Sequence, residues 1–149
     1  NQAVACGVKA MSLTDINTVT GIYDFIKGCN AVGIKPLVGM EFHAEKSMRY
    51  IGIAKNTSGL AEMNRFLTAY NFNGETVPLY APQFDSVFII YPLDNAPDTL
   101  RDNEYIGLRP EEVPKLFALE LKNKISKMVI LQPVTFRTKK EFNLHKILL

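Results

Sequence analysis

The chain has 149 residues, enough for one domain with a real core, and its 47% hydrophobic and 21% charged residues make an ordinary soluble composition. No apolar run approaches the ~18 residues of a membrane span and no signal-peptide pattern opens the chain, so cytoplasm is the expected compartment. The net charge of +2 points to no class of partner, and two cysteines, Cys6 and Cys29, are too few for a disulfide framework or a zinc cluster; both are expected as reduced core residues.

Residues 1–8 read as the end of a helix, with Ala3, Val4 and Cys6 apolar and Gly7 placed to cap it. Residues 9–14 are expected as a buried strand ending at Asp15. Asn17 or Thr18 is placed to cap the next helix, because their side-chain oxygens can accept from free backbone N–H groups. That helix should run to about residue 31, with Ile22, Phe25, Ile26 and Cys29 on one face, Gly33 as a left-handed stop and Pro36 barring continuation. Residues 37–42 form the second strand and 49–54 the third, after a turn at 45–47.

Ser58 is expected to cap a helix whose stripe is Leu60, Met63, Leu67 and Tyr70, ended by residues 71–74. Residues 75–85 read as loop, 86–91 as a β-branched and aromatic strand, 92–104 as loop and 105–108 as a short strand. Pro110 suits the first turn of a helix to about residue 121, with Glu111 and Glu112 at its positive end; Pro114 offers a later start. A strand over 127–131 and a helix over 139–149, with Phe142, His145 and Leu149 on one face, complete the pattern. The alternation predicts an α/β architecture with a largely parallel sheet and flanking helices. Gly7, Gly21, Gly28 and Gly33 form no phosphate-binding loop, and no internal repeat is present.

The candidate chemistry sits at strand ends, where parallel sheets and barrels place it. Asp15, between a strand and a helix, can ligate a metal, act as a base, or cap the helix. Glu41 follows Gly39 and Met40 at the end of an apolar strand and either meets solvent or faces a site. His43, two residues on, can share a strand face with Glu41, or be a surface histidine. His145, the other histidine, reads as a partly buried helix residue. Ser12 and Thr14 have no recognisable histidine partner for nucleophilic catalysis. From 122 to 146 the sequence carries Lys122, Lys124, Lys127, Arg137, Lys139, Lys140 and Lys146 against the single acid Glu141. That excess is either a solvated surface or a patch for nucleic acid or an acidic partner, and no aromatic residues alternate with it as they do in single-strand binders.

Gly7-Val8-Lys9-Ala10, Leu13-Thr14-Asp15-Ile16-Asn17, Gly21, and Gly33-Ile34-Lys35-Pro36 through Gly39 and Glu41 together resemble the PHP (polymerase and histidinol phosphatase) domain. More narrowly, they resemble the version at the N-terminus of bacterial replicative DNA polymerase III alpha subunits. Ile51 to Asn56 and Gly59 match its next strand and helix start, and residues 130–136 look like a lineage-specific version of the same domain. The motif-bearing match covers about residues 3–70.

The resemblance implies a partial, distorted (β/α)7 barrel. In metal-competent relatives, strand-end histidines and acids hold up to three metal ions, zinc or manganese, that support phosphoester hydrolysis by activating a bound water. Glu41 matches the family's strand-end glutamate ligand and Asp15 the aspartate of a threonine-aspartate-histidine motif. Ile16 stands where that motif's histidine belongs, and His43 has no clear counterpart. The family's His-x-His pair would precede Asn1 and its later ligands would follow Leu149, so residues 1–149 are expected to be one incomplete PHP domain.

The expected function is that of a degenerate-site structural and docking module of a DNA-directed DNA polymerase. Its partners would be the rest of the alpha chain, the proofreading exonuclease subunit and other replisome subunits. The parent would handle DNA and use Mg. The piece itself would have no catalytic residues, no cofactor and no membrane contact. The alternative is a metal-dependent phosphoesterase or an in-built 3'-5' proofreading exonuclease; a free-standing α/β binding module is the third reading.

Overall fold

Six strands form one curled sheet, in the order β1-β2-β3-β4-β5-β6, that makes a half-barrel with helices outside it. The computed structural model describes residues 2–115, 121–132 and 139–148, apart from the side chains of 121–123, 142, 144, 145, 147 and 148. The elements are α1 (Gln2–Ala5), β1 (Ala10–Ile16), α2 (Ile22–Ala31), β2 (Lys35–Ala44), β3 (Ser47–Ala54), α3 (Thr57–Asn73), β4 (Val87–Pro92), β5 (Glu104–Leu108), β6 (Met128–Ile130) and α4 (Lys139–Leu148). β1 and β2 pair in parallel, as do β4 with β5 and β5 with β6, while β3 is antiparallel to both neighbours. Five strands therefore run one way and β3 the other, which bears out the largely parallel α/β expectation.

Strand alternation sorts the residues of β2 onto two faces. Met40, Phe42 and Ala44 point outward, toward α3, and are buried with Tyr50, Met63, Leu67, Phe84, Val87, Ile89 and Tyr91 in the main core. Phe42 lies against Tyr50, Phe66 and Phe84 with ring centroids 5.0, 5.6 and 6.5 Å away. Full burial of each such ring stabilises the fold by roughly 1.5–3 kcal/mol. Gly39, on the opposite face, lets β3 approach: a Cβ there would strike the Gly52 carbonyl. Pro36 is tolerated because β3 pairs with β2 only from Gly39 onward.

Several local expectations are corrected. β1 is half-exposed rather than buried, since among the described strands it pairs only with β2. Cys6 is exposed, because α1 buries no residue; Cys29 is buried as expected. Neither Asn17 nor Thr18 caps α2, whose N-cap residue is Gly21 with no side-chain hydrogen bond, because Asn17 is engaged elsewhere. Asn56, not Ser58, caps α3, accepting from Gly59 N–H at 3.0 Å. β2 continues past Glu41 to Ala44 and turns through Glu45, at φ 54, into β3. Residues Pro110–Glu112 form a 3-10 turn, and residues 116–120 of the expected helix lie outside the described residues. So do residues 133–138 and the side chains of Phe142, His145 and Leu149.

The loop before β5 is organised by a carboxylate the sequence reading passed over. Glu104 is 2% exposed. Its Oε1 accepts from the Tyr91 hydroxyl at 2.8 Å and from Arg101 Nε at 2.9 Å, and its Oε2 from Arg101 N–H at 2.7 Å. Tyr91 Oη in turn accepts from Ala81 N–H at 3.0 Å. Burial pushes the Glu104 carboxyl up, but the bonds from Arg101 and Tyr91 outweigh it and leave it below the usual range. Burial pushes the Tyr91 phenol up to about 12. Burial also raises Tyr50, whose hydroxyl has no partner among the described residues.

Gly33 sits at φ +73 with open space around a would-be Cβ, whereas at Gly59 a Cβ would fall on the Ser86 backbone. Gly33→Val should therefore lower stability by roughly 1–2 kcal/mol through backbone strain, with Gly33→Asn losing less. Gly59→Ala should lose about 1–3 kcal/mol by overpacking. Urea unfolding of the three variants checks both numbers; equal midpoints for Gly33→Val and wild type would remove the cap assignment.

The buried network generates the second prediction. Tyr91→Phe strips a donor from Glu104 and should cost about 1–3 kcal/mol, while Tyr50→Phe should be neutral or mildly stabilising. The signs of the pH dependence follow from the shifts. Glu104 is lowered on folding, so its contribution is present above the unfolded carboxylate pKa and disappears as pH falls through the folded value. Tyr91 is raised, so its contribution is present below the unfolded pKa of about 10 and is lost as pH rises toward about 12. Glu104→Gln should flatten the acid limb of a stability–pH curve, and Tyr91→Phe the alkaline limb.

Candidate functional site

The carboxyl ends of β1 and β5 open on a cavity of about 670 Å³. Thr14, Asp15, Ile16 and Glu41 from β1 and β2 line it, together with Thr18, Thr20, Ile51, Arg109 and Leu131. β1 stops at Ile16, directly beside Glu41 in the ladder, so Glu41 faces the opening although β2 itself continues.

Glu41 and His43 share the inner face of β2, as their spacing predicts. His43 Nε2 lies 3.1 Å from Glu41 Oε2, and the two side chains are 14% and 22% exposed. Thr14 Oγ1 donates to the other oxygen, Oε1, at 3.3 Å. Alternation on β1 turns Thr14 and Ile16 to this face and Asp15 away from it. The Asp15 carboxylate instead lies over Gly21, its Oδ2 3.0 Å from where a Cβ would be. That is the start of α2, where the helix dipole favours a negative charge. Asp15 thus touches the cavity rim, and no hydrogen bond joins it to Glu41 or His43.

Two residues that the sequence did not assign to the site complete the arrangement. Asn17 donates from its own N–H to the Glu41 carbonyl at 2.9 Å. Its side-chain amide pairs with His43 twice, donating to the carbonyl at 3.0 Å and accepting from the N–H at 2.9 Å. Arg109, the residue after β5, is among the residues that line the cavity. Its position just past a strand end is the same signal that singled out Asp15 and Glu41. Among the described residues, no three His, Cys, Asp or Glu side chains come together as a metal centre would require.

Of the basic residues, Lys124 Nζ donates to Asp98 O at 2.7 Å, and Lys127 Nζ to Asp102 O at 2.8 Å and Arg101 O at 3.1 Å. Lys127 also lies 5.3 Å from the Tyr105 ring. Lys139 and Lys140 are exposed in the first turn of α4. Arg137 and the Lys122 side chain lie outside the described residues.

Comparison with known proteins places this geometry. The family model of the PHP domain matches residues 1–95. The alpha subunit of DNA polymerase III from Staphylococcus aureus (strain Mu50 / ATCC 700699) is 30% identical over 104 residues, 67% of this chain and 10% of that protein. The Streptococcus pyogenes alpha subunit is 27% identical over 97 residues, 63% of this chain and 9% of the relative. An error-prone DNA polymerase from Symbiobacterium thermophilum is 32% identical over 74 residues, 50% of this chain and 7% of the relative. The chain spans about a tenth of the length of these relatives. A six-stranded half-barrel with its polar residues gathered at strand ends, and a family model covering most of its sheet, agree: the chain belongs to the PHP domain family.

Proposed function

We propose that this chain is the PHP region of a replicative DNA polymerase of the alpha-subunit type, and that it works there as a structural and docking module. The observation that carries this reading is the state of Glu41. In a metal-competent relative, the matching glutamate would face metal ions. Here its two oxygens are engaged by Thr14 and His43, and Ile16, which cannot ligate, is its ladder neighbour. Among the described residues no three His, Cys, Asp or Glu side chains gather as a metal centre would need, which supports this reading. Asp15, on the other face, does not complete a set with Glu41 and His43.

The surface supports the docking part. Ile16 is 56% exposed at the mouth and Phe72 90% exposed on α3. Natural partners for such surfaces are the remainder of the polymerase chain and, in the replisome, the proofreading exonuclease subunit. The parent would carry out templated, Mg-dependent nucleotidyl transfer in the cytoplasm, with the DNA handled mainly by its other domains. Among the described residues no helix is long and apolar enough to cross a membrane. A direct test is binding of the purified chain to the exonuclease subunit and to the remaining alpha chain, by calorimetry. Failure to bind either would remove the docking role.

The site makes a metal prediction. After dialysis the chain should hold well under one equivalent of zinc or manganese by mass spectrometry; stoichiometric retained metal would favour the phosphoesterase or exonuclease reading instead. Ile16→His would place an imidazole beside Glu41 on the face that already carries His43, and should raise zinc affinity. Unchanged affinity would mean that the threonine-aspartate motif has been assigned to the wrong residues.

DNA binding by the chain should be weak, independent of sequence and steeply salt-sensitive, as phosphate neutralisation by the residues around Lys139 and Lys140 requires. Fluorescence anisotropy at low and physiological salt measures this. Tight binding that persists at physiological salt would make the segment a nucleic-acid reader in its own right.

A further inference from the structure

An ionised glutamate offers only acceptors, so a half-buried one needs donors or a cation. Glu41 receives Thr14 Oγ1 at 3.3 Å on one oxygen and meets His43 Nε2 at 3.1 Å on the other. A carboxylate has no proton to give, so a hydrogen bond between these two atoms requires the hydrogen on His43 Nε2. The ring is brought there by its backbone, which Asn17 grips at both N–H and C=O while its own N–H holds the Glu41 carbonyl. Asn17 does this from φ 49, a left-handed conformation that asparagine tolerates better than most residues. Three hydrogen bonds from one residue thus fix positions 41 and 43 of β2 relative to the end of β1.

We infer that His43 is the built-in counter-group of Glu41, taking the electrostatic place that a metal ion holds in a metal-competent site, and that Asn17 is the positioning residue that keeps it there. This rests on the reading of the mouth as lacking a metal centre. It goes further in assigning what replaces the metal: a proton donor from the same strand. Glu41 Oε2 cannot take a metal without giving up His43. The ring must carry its hydrogen on Nε2, whether neutral or charged. The pairing is internal to the chain, so it should exist whether or not any partner is bound.

A double-mutant cycle on the full chain tests this, with Glu41→Ala, His43→Ala and the pair compared by urea unfolding in the presence of EDTA. The double variant should be more stable than the sum of the single losses predicts, by about three- to tenfold in the unfolding constant, as a charge-assisted hydrogen bond at a partly exposed site gives. Additive effects would overturn the proposal. So would a coupling that appears only when zinc is supplied.

A second measurement needs only the wild type. Nitrogen-15 spectra of the His43 ring near neutral pH should show hydrogen on Nε2; hydrogen on Nδ1 alone would overturn the assignment. Asn17→Ala should move those ring signals and shrink the coupling. If it lowers stability and leaves both unchanged, Asn17 is structural only and the positioning role is wrong. Loss of partner docking with the coupling intact would count against the module, and loss of the coupling in a metal-free chain would count against this inference alone.

Discussion

Side chains on a strand alternate, and that constraint on β2 organises the molecule. One face of its ten residues gives Met40, Phe42 and Ala44 to the core; the other carries Gly39, Glu41 and His43, and of these Glu41 lines the mouth. A register slip of one residue would bury Glu41 and His43 under α3 and expose Phe42 to the cavity, so the core holds the site in place. β3 is bound by the same rule. Tyr50 and Gly52 face α3, Gly52 because Met63 occupies the space where a side chain would be, while Ile51 closes the inner wall beside Glu41. The aromatic cluster around Phe42 and the polar pair at the mouth are thus two faces of one ladder.

What the sequence made legible follows from local physics. The period of Ile22, Phe25, Ile26 and Cys29 defines α2, and the β-branched run at residues 86–91 defines β4, because burial on one face leaves its mark on residues that are close in the chain. Glu41 and His43 could be paired from their spacing of two. The caps were harder, since several polar residues compete for each helix start. Asn56 won over Ser58, and Asn17 left α2 uncapped because its amide fits the open backbone of His43, which lies 26 residues away. Asp15 shows a related effect. Its neighbour Ile16 shares Glu41's face, so a motif that is contiguous in sequence is split by the pleat into opposite directions.

Glu104 shows a different limit. In sequence it is one more acid at the end of a polar loop, and nothing within ten residues marks it as buried. Its environment comes from Tyr91 and the Ala81 segment, 13 and 23 residues earlier, and only Arg101 is local. A carboxylate taken out of water without partners would be strongly unfavourable. With a guanidinium, a phenol and a backbone N–H around it, the same group fixes how the loop before β5 meets the core. The network lies on the outer face of the sheet, apart from the mouth, and sets the start of the strand whose far end delivers Arg109 to the cavity.

The basic stretch displays seven positive residues between 122 and 146, but the fold uses some of them internally. Lys124 and Lys127 reach back to carbonyls of residues 98, 101 and 102, joining the segment before β6 to the loop that carries Arg101 to Glu104. Lys127 also covers the face of Tyr105, so an aromatic neighbour that the sequence placed far away is supplied by β5. An anion that drew these two amines outward would compete with contacts that hold β5 and β6 together. Lys139 and Lys140 are differently placed. They occupy the first turn of α4, where the helix dipole disfavours positive charge. Their charge is unfavourable to the helix that bears them, so among Lys124, Lys127, Lys139 and Lys140 an attraction for phosphate or an acidic partner falls first to the last two.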